Sequence, residues 1–333
     1  MNRRLARRWR AWPLLFFLLV SFLGLPFGCD EEGRGTNSFR FLVLSDLHVR
    51  LPGHPDDLDY DSRANLDNLL HMINRINTEF ADAAFVVVTG DLVGTLYSDN
   101  PADYLAGHEN PAETLASIVS TLRIPIHFVL GNHDYLKGYD PNRGEGIPSR
   151  SCEKVEAVWR KVLGIEPYGS FVYRGVRFVL LNSARGPARE TVCPFATRES
   201  GCTGSFDRRQ LDWLETELAR PEPCVLFLHH PIITDHNATV RWSLAGESFQ
   251  VRAGDDFYRI IGLYRDKILG IFVGHGHMWA RDLLQGRIPV YETGALGDGG
   301  GHRDNVHVVT VFQDGAALDV EIGNPAATYR SGY

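Results

Sequence analysis

VLGNHDYL, residues 129–136, closes an apolar run over 126–130 with Gly131, Asn132, His133 and Asp134. A short apolar, β-branched run reads as a buried strand. Ending it in an amide, an imidazole and a carboxylate puts metal-binding and proton-moving groups at that strand's carboxyl end. Taken alone, the tetrapeptide reads equally well as a polar turn with an Asn-Asp cap. Repetition decides between the two. Residues 39–44 run into Ser45-Asp46-Leu47-His48, and 85–89 into Gly90-Asp91. Residues 224–228 run into His229-His230-Pro231, and 268–273 into Gly274-His275-Gly276-His277.

Helical spacings lie between these runs. Leu66, Leu69, Leu70, Ile73, Ile76 and Phe80 fall on one helical face, with Ser62 as N-cap. Residues 111–122, 152–164 and 207–221 behave similarly, the last two closed by Gly164 and Pro221. Hairpins are expected over 171–183, turning at Arg174-Gly175, and over 306–322, turning at Asp314-Gly315. Strand and helix in alternation, with hairpins late in the chain, predict an α/β protein with mixed sheets. No linker divides residues 39–325, so one domain over 39–333 is expected, and no internal repeat is visible.

Ligands of open α/β sheets bind beyond the carboxyl ends of the strands. Five strands deliver metal-ligand chemistry to that edge. Carboxylate, imidazole and one amide, without sulfur, suit manganese, iron or zinc. Seven candidate donors exceed what one ion needs, so two divalent or trivalent ions sharing a bridge is the economical reading. Such a pair, ~3.5–4 Å apart, suits in-line displacement at phosphorus. His229 and His230 are adjacent, and on a strand only one of them can face the metals.

The ordered set Asp46-x-His48, Gly90-Asp91, Gly131-Asn132-His133-Asp134, His229-x-Pro231 and Gly274-His275-x-His277 resembles the calcineurin-like metallophosphoesterase superfamily over roughly residues 39 to 300. The resemblance implies a four-layer sandwich of two mixed β-sheets flanked by helices. It implies that Asp46, His48 and His277 hold one metal, Asn132, His229 and His275 the other, and that Asp91 bridges them. His229 rather than His230 is the ligand by the same resemblance, and His133 faces substrate beyond the ligands. Asp134 is then expected to orient His133, the usual task of a carboxylate beside a working imidazole.

The implied activity is hydrolysis of a small phosphorylated substrate, a phosphodiester or phosphomonoester, by a hydroxide bridging two metals. A nucleotidase or a lipid pyrophosphohydrolase of the same chemistry, and a catalytically idle metal-binding envelope lipoprotein, are the alternatives. The segment GSFDRRQLDWLETEL, residues 204–218, resembles cyclic-nucleotide-phosphodiesterase-like and purple-acid-phosphatase-like members. The purple enzymes add a tyrosine next to the bridging aspartate. Here Leu92 and Val93 follow Asp91, and Tyr97 lies further along, which argues against an iron–tyrosinate centre. His54, His108, His236 and His302 read as surface or loop histidines, and residues 294–302 as a Gly-rich mobile loop, with a pocket lining as the alternative.

Composition bounds the rest. Hydrophobic content of 44% with 23% charge belongs to a folded globular chain. Five arginines among residues 1–10 lead into a short apolar stretch, Leu14 to Phe27. That length suits a signal-peptide core better than a membrane span of ~20 residues; an uncleaved anchor helix is the alternative. Gly28-Cys29 resembles the lipobox of bacterial lipoproteins, with Pro26 where that motif has Leu. Residues 1–28 are therefore expected to be a signal peptide, 29–38 a flexible tether and Cys29 a lipid anchor to the membrane of the cell envelope.

Loss of five arginines and no acids with residues 1–28 would take the formal charge from −7 to −12. A surface that acidic disfavours nucleic acid, so no nucleic-acid-binding surface is expected. Cys152, Cys193, Cys202 and Cys224 permit two disulfides in an exported chain, Cys193 with Cys202 first, and show no C-x-x-C pair for zinc.

Overall fold

The computed structural model describes residues 38–54, 62–104, 109–140, 142, 145–185, 203–237, 243–244, 247–248, 250–251, 256–298, 301–312 and 317–331. The strand over Ser38–Leu44 (β1) shows why the fold needs two sheets. Phe39, Phe41 and Val43 enter one core while Leu42 and Leu44 enter another, so both faces must be covered.

Helix α1 (Ser62–Glu79) follows, then β2 (Val86–Thr89), α2 (Pro111–Val119) and β3 (Ile126–Val129). A hairpin of β4 (Leu136–Asp140) and β5 (Glu145–Pro148) precedes α3 (Cys152–Leu163). Next come β6 (Gly169–Tyr173), β7 (Val176–Leu180), α4 (Arg208–Leu218) and β8 (Cys224–Phe227). The short pair β9 (Ser243–Leu244) and β10 (Glu247–Ser248) leads to α5 (Asp256–Tyr264) and β11 (Ile268–Val273). The described chain closes with β12 (Ala280–Leu284), β13 (Ile288–Glu292), β14 (His307–Phe312), β15 (Ala317–Ile322) and β16 (Arg330–Ser331).

Five strands make one mixed sheet in the order β15-β14-β1-β2-β3, with β1, β2 and β3 parallel. Seven make the other, β16-β12-β13-β11-β8-β7-β6, with β7, β8, β11 and β13 parallel. Phe41, Phe85, Phe178, Phe227 and Phe272 fill the space between the sheets. The first sheet's other face packs on α1, α2 and α3 through Met72, Leu115 and Trp159. The second sheet's other face packs on α4 and α5 through Leu214, Phe257 and Ile261. The result is the expected sandwich of two mixed sheets between helical layers.

Local chemistry sets the helix ends. Asn110 accepts from the Glu113 N–H at 2.8 Å ahead of Pro111, and Asp207 accepts from the Gln210 N–H at 2.8 Å. Gly164 closes α3 in the left-handed region at φ 68°. Ser62, expected as a cap, is the first residue of α1 itself.

One expectation changes. Cys152 in α3 and Cys224 in β8 are free, buried thiols belonging to different cores, so neither joins a disulfide. Burial pushes the Cys224 thiol up to about 11. Cys29, Cys193, Cys202 and the turn Asp314-Gly315 lie outside the described residues, as does the N-terminal apolar stretch. Among the described residues no helix is long and apolar enough to cross a membrane.

Candidate metal centre

The parallel strands β1, β2, β3, β8 and β11 all end at one edge of the sandwich, and the chain there turns sharply. Asp46, His48, Asp91, His275 and His277 adopt left-handed backbone with φ between 45° and 71°. Non-glycine residues enter that region at a cost and tend to do so at functional sites. Two glycines make room for the donors. A Cβ on Gly131 would stand 2.3 Å from Asp91 Oδ1, and one on Gly90 2.5 Å from His229 Nδ1.

Donor atoms converge in two groups. In the first, His277 Nε2 lies 3.1 Å from His48 Nε2 and 3.3 Å from Asp46 Oδ1. In the second, His229 Nε2 lies 2.9 Å from Asn132 Oδ1, 3.1 Å from His275 Nδ1 and 3.3 Å from Asp91 Oδ2. His229 Nδ1 donates to the Thr89 carbonyl at 2.9 Å, which turns Nε2 toward those three atoms. One ring nitrogen cannot satisfy three acceptors, whereas a cation can. Nitrogen, carboxylate and amide donors at such separations fit transition-metal ions. Asp91 Oδ2 also lies 3.7 Å from His48 Nε2, so a single carboxylate touches both groups. All seven residues singled out in the sequence as donors thus meet here, and His133 joins His48 and Asp91 in a third cluster.

The family model of calcineurin-like phosphoesterases matches residues 39–279. The chain belongs to the calcineurin-like phosphoesterase family. A probable cyclic nucleotide phosphodiesterase of Rhodopseudomonas palustris is 28% identical over 196 residues, 58% of this chain and 57% of that protein. The chain therefore spans little more than half the length of that relative. A dimetal phosphatase from Danio rerio superposes over 86% of this chain and 99% of its own, with TM-score 0.55 and 13% identity. A purple acid phosphatase from yellow lupin, Lupinus luteus, matches over 90% of this chain and 55% of its own, with TM-score 0.55 and 13% identity. At those identities the two structures share the fold.

The candidate metal centre is held by contacts that differ in places from those expected. Asp134 does not touch the His133 ring. Its Oδ1 accepts from the Leu92 and Val93 N–H groups at 2.9 and 3.1 Å, and its Oδ2 from Gly131 N–H at 2.7 Å. It thereby ties the turn after Asp91 to the turn before His133. The 3₁₀ turn His133–Tyr135 sends neighbouring side chains different ways, and His133 Nδ1 donates instead to the Gly94 carbonyl at 3.0 Å. His230 is buried beside Ser183, its Nδ1 2.9 Å from Ser183 Oγ. Tyr97 is in neither donor group. His236 and His302 are exposed, His54 is half-buried, and His108 lies outside the described residues.

Electrostatics divide the donors. Burial opposes ionisation of Asp91, but His229, His133 and His48 outweigh it and hold the carboxyl well below its usual range. Burial pushes His48 down to about 3, against the pull of Asp298. Burial, with His230 and His229, pushes His275 well below the imidazole range. Metal binding requires anionic carboxylates and neutral imidazoles; against burial, Asp91 lifts His229 to about 9 and Asp46 raises His277, so a cation would displace the protons from those two rings.

Asp298 is the residue that sequence reasoning missed. The Gly-rich stretch was expected to be a mobile loop, yet Leu296 N–H and Gly297 N–H donate to the Ser45 and Asp46 carbonyls at 3.0 and 2.8 Å. Gly297 permits this approach, since a Cβ there would stand 2.4 Å from the Leu47 carbonyl oxygen. The loop delivers Asp298 Oδ2 to 3.5 Å from His48 Nδ1, where Arg50 at 2.7 Å and Asn65 at 2.6 Å hold the carboxylate. Asp298 faces His48 Nδ1 at ion-pair distance without a hydrogen bond; loss of a carboxylate behind a ligating imidazole typically lowers metal affinity 10–100-fold. Asp298→Asn is expected to weaken metal binding by roughly that factor in a chelator competition. Unaltered affinity would leave Asp298 a loop anchor only.

Proposed function

We propose that the chain is a dinuclear metal-dependent phosphodiesterase. The single observation that carries this reading is the position of Asp91 Oδ2, 3.7 Å from His48 Nε2 and 3.3 Å from His229 Nε2. One carboxylate between two donor groups suits a pair of ions sharing a bridge, and the similarity to a probable cyclic nucleotide phosphodiesterase favours a diester. Two ions held there would supply Lewis acidity to the phosphoryl oxygens and activate water.

The chain's own residues do the remaining work. Asp46, His48 and His277 hold one side of the centre, Asn132, His229 and His275 the other, and Asp91 spans them. His133, its Nδ1 fixed on the Gly94 carbonyl, turns Nε2 toward the phosphate, where it stabilises charge on the departing oxygen. Asp134 keeps the Asp91 and His133 turns in register.

The test is a substrate panel on purified protein under several metals. Turnover of a phosphate diester ahead of a monoester and a nucleoside pyrophosphate supports the reading. Preference for the monoester or the pyrophosphate would replace it with a phosphatase, nucleotidase or pyrophosphohydrolase. Turnover of none would leave the idle metal-binding protein.

The compartment is a separate proposal, motivated by the basic, apolar and Gly28-Cys29 succession at the N-terminus. The protein is exported and anchored through lipid on Cys29. Mass spectrometry of envelope fractions is expected to find Cys29 as a lipidated first residue. Recovery of an intact Met1 would reject both processing and anchor.

A further inference from the structure

The segments that carry His48 and Asp91 continue past the donors as a pair. Val49 bridges Val93 in parallel, and Gly94 N–H donates to the Val49 carbonyl at 3.0 Å. Further along, Leu51 N–H donates to the Tyr97 phenol oxygen at 3.3 Å. The two extensions end in stacked rings, with His54 and Tyr97 centroids 3.8 Å apart and an interplanar angle of 13°. Both rings line a cavity of about 380 Å³ with Tyr104 and Asn110, rimmed by Asp103 and Glu109.

Tyr97 is held unusually. Its φ is 65°, the left-handed region that also holds five of the seven donors of the metal centre. A bulky residue persists there only when its surroundings impose it, a condition that clusters at ligand clamps. The flanking backbone is held by Tyr104, whose phenol oxygen lies 2.6 Å from the carbonyl oxygens of both Leu96 and Ser98 and donates its one hydrogen between them. Those are the residues on either side of Tyr97, so the ring is fixed in place before any ligand arrives.

The cavity also lies near the residue that anchors His133. Gly94, whose carbonyl anchors His133 Nδ1, precedes Tyr97 by three residues, which even fully extended span at most ~11 Å. A ring held within that span of the residue anchoring His133 is within reach of a group attached to a phosphate at the centre. An aromatic face recognises planar rings, while the carboxylates of Asp103 and Glu109 repel a second phosphate and accept hydrogen bonds from ring amines.

We propose that the cavity beside the His54–Tyr97 pair binds the planar aromatic part of the substrate's leaving group, a nucleobase or an aryl ring. This rests on the phosphodiesterase reading and narrows its substrate class.

The test uses the metal-loaded full chain and three diesters: adenosine 3′,5′-cyclic phosphate, bis(p-nitrophenyl) phosphate and diethyl phosphate. Asparagine tolerates left-handed backbone, so Tyr97→Asn removes the ring with little strain, and Tyr97→Phe keeps it. Ring stacking is worth roughly five- to a hundred-fold in binding. Tyr97→Asn is expected to raise KM for the ring-bearing diesters by a factor in that range relative to the diethyl ester. Tyr97→Phe should restore the wild-type ratio. Adenosine alone should inhibit the wild type competitively, and less well after Tyr97→Asn. His54→Ala, at a residue outside the left-handed set, should shift the same ratio and guards against misfolding of the first variant.

A larger effect on the cyclic nucleotide than on the nitrophenyl ester would assign the cavity to a nucleobase, and an equal effect to any aromatic ring. Equal KM changes for all three esters, or no inhibition by adenosine, would overturn the cavity assignment while leaving the phosphodiesterase reading intact. Failure of the wild type to hydrolyse any ester would reject that reading first.

Discussion

Replacing Asp91 by Asn is expected to strip most bound metal and nearly all phosphoesterase activity. The amide removes the one formal charge that faces both donor groups and offers a single oxygen where the carboxylate offers two. Both oxygens are engaged: Oδ1 accepts from His133 N–H at 2.9 Å, and Oδ2 faces His48 and His229. An asparagine that keeps the contact with His133 turns its NH₂ toward the imidazoles and repels a cation. Metal Lewis acidity contributes several kcal/mol to such reactions, which is about 10³-fold in rate. The buried site should still fold, because the amide remains hydrogen-bonded. Elemental analysis beside kinetics checks the result. Retention of metal and turnover would remove Asp91 from the centre.

His133→Ala makes the opposite split. His133 is half-buried beside His48, with ring centroids 4.8 Å apart, but its Nδ1 is committed to the Gly94 carbonyl. The two donor groups are complete without it. Its remaining nitrogen acts where charge builds on the leaving oxygen, help worth roughly 10²–10⁴-fold. The variant should keep its metal and its melting temperature while losing activity of that order. The loss should be largest for alkyl leaving groups and small for nitrophenolate, which departs without a proton. Equal losses for both would indicate substrate positioning instead, and loss of metal would make His133 a ligand.

The strands of the site were legible in the sequence because β2, β8 and β11 are buried on nearly every residue and β1 and β3 on their carboxyl-terminal residues, leaving apolar runs that end at donors. Their convergence followed from the rule that parallel strands share a carboxyl edge. Helix α5 escaped notice: Phe257, Ile260 and Ile261 carry helical spacing, but over nine residues only. The β4–β5 hairpin, LKGYD paired with EGIP, has no apolar alternation to announce it.

Asp134 and Asp298 were misread for a shared reason. Adjacency to His133 suggested one partner for Asp134, yet a 3₁₀ turn gave it the backbone of Leu92 and Val93. Asp298 sits in a Gly-rich stretch that resembles any turn. Its role comes from backbone pairing with residues 45 and 46, more than two hundred positions earlier, and local pattern does not encode contacts of that range.

In the proposed phosphodiesterase one carboxylate, Asp91, joins two metals into a single centre. Metal-free protein titrated with Mn²⁺ while phosphodiester hydrolysis is followed tests it most directly. Activity is predicted to rise until two equivalents per chain are bound and then to saturate. Saturation at one equivalent, or full turnover by metal-free protein, would contradict it.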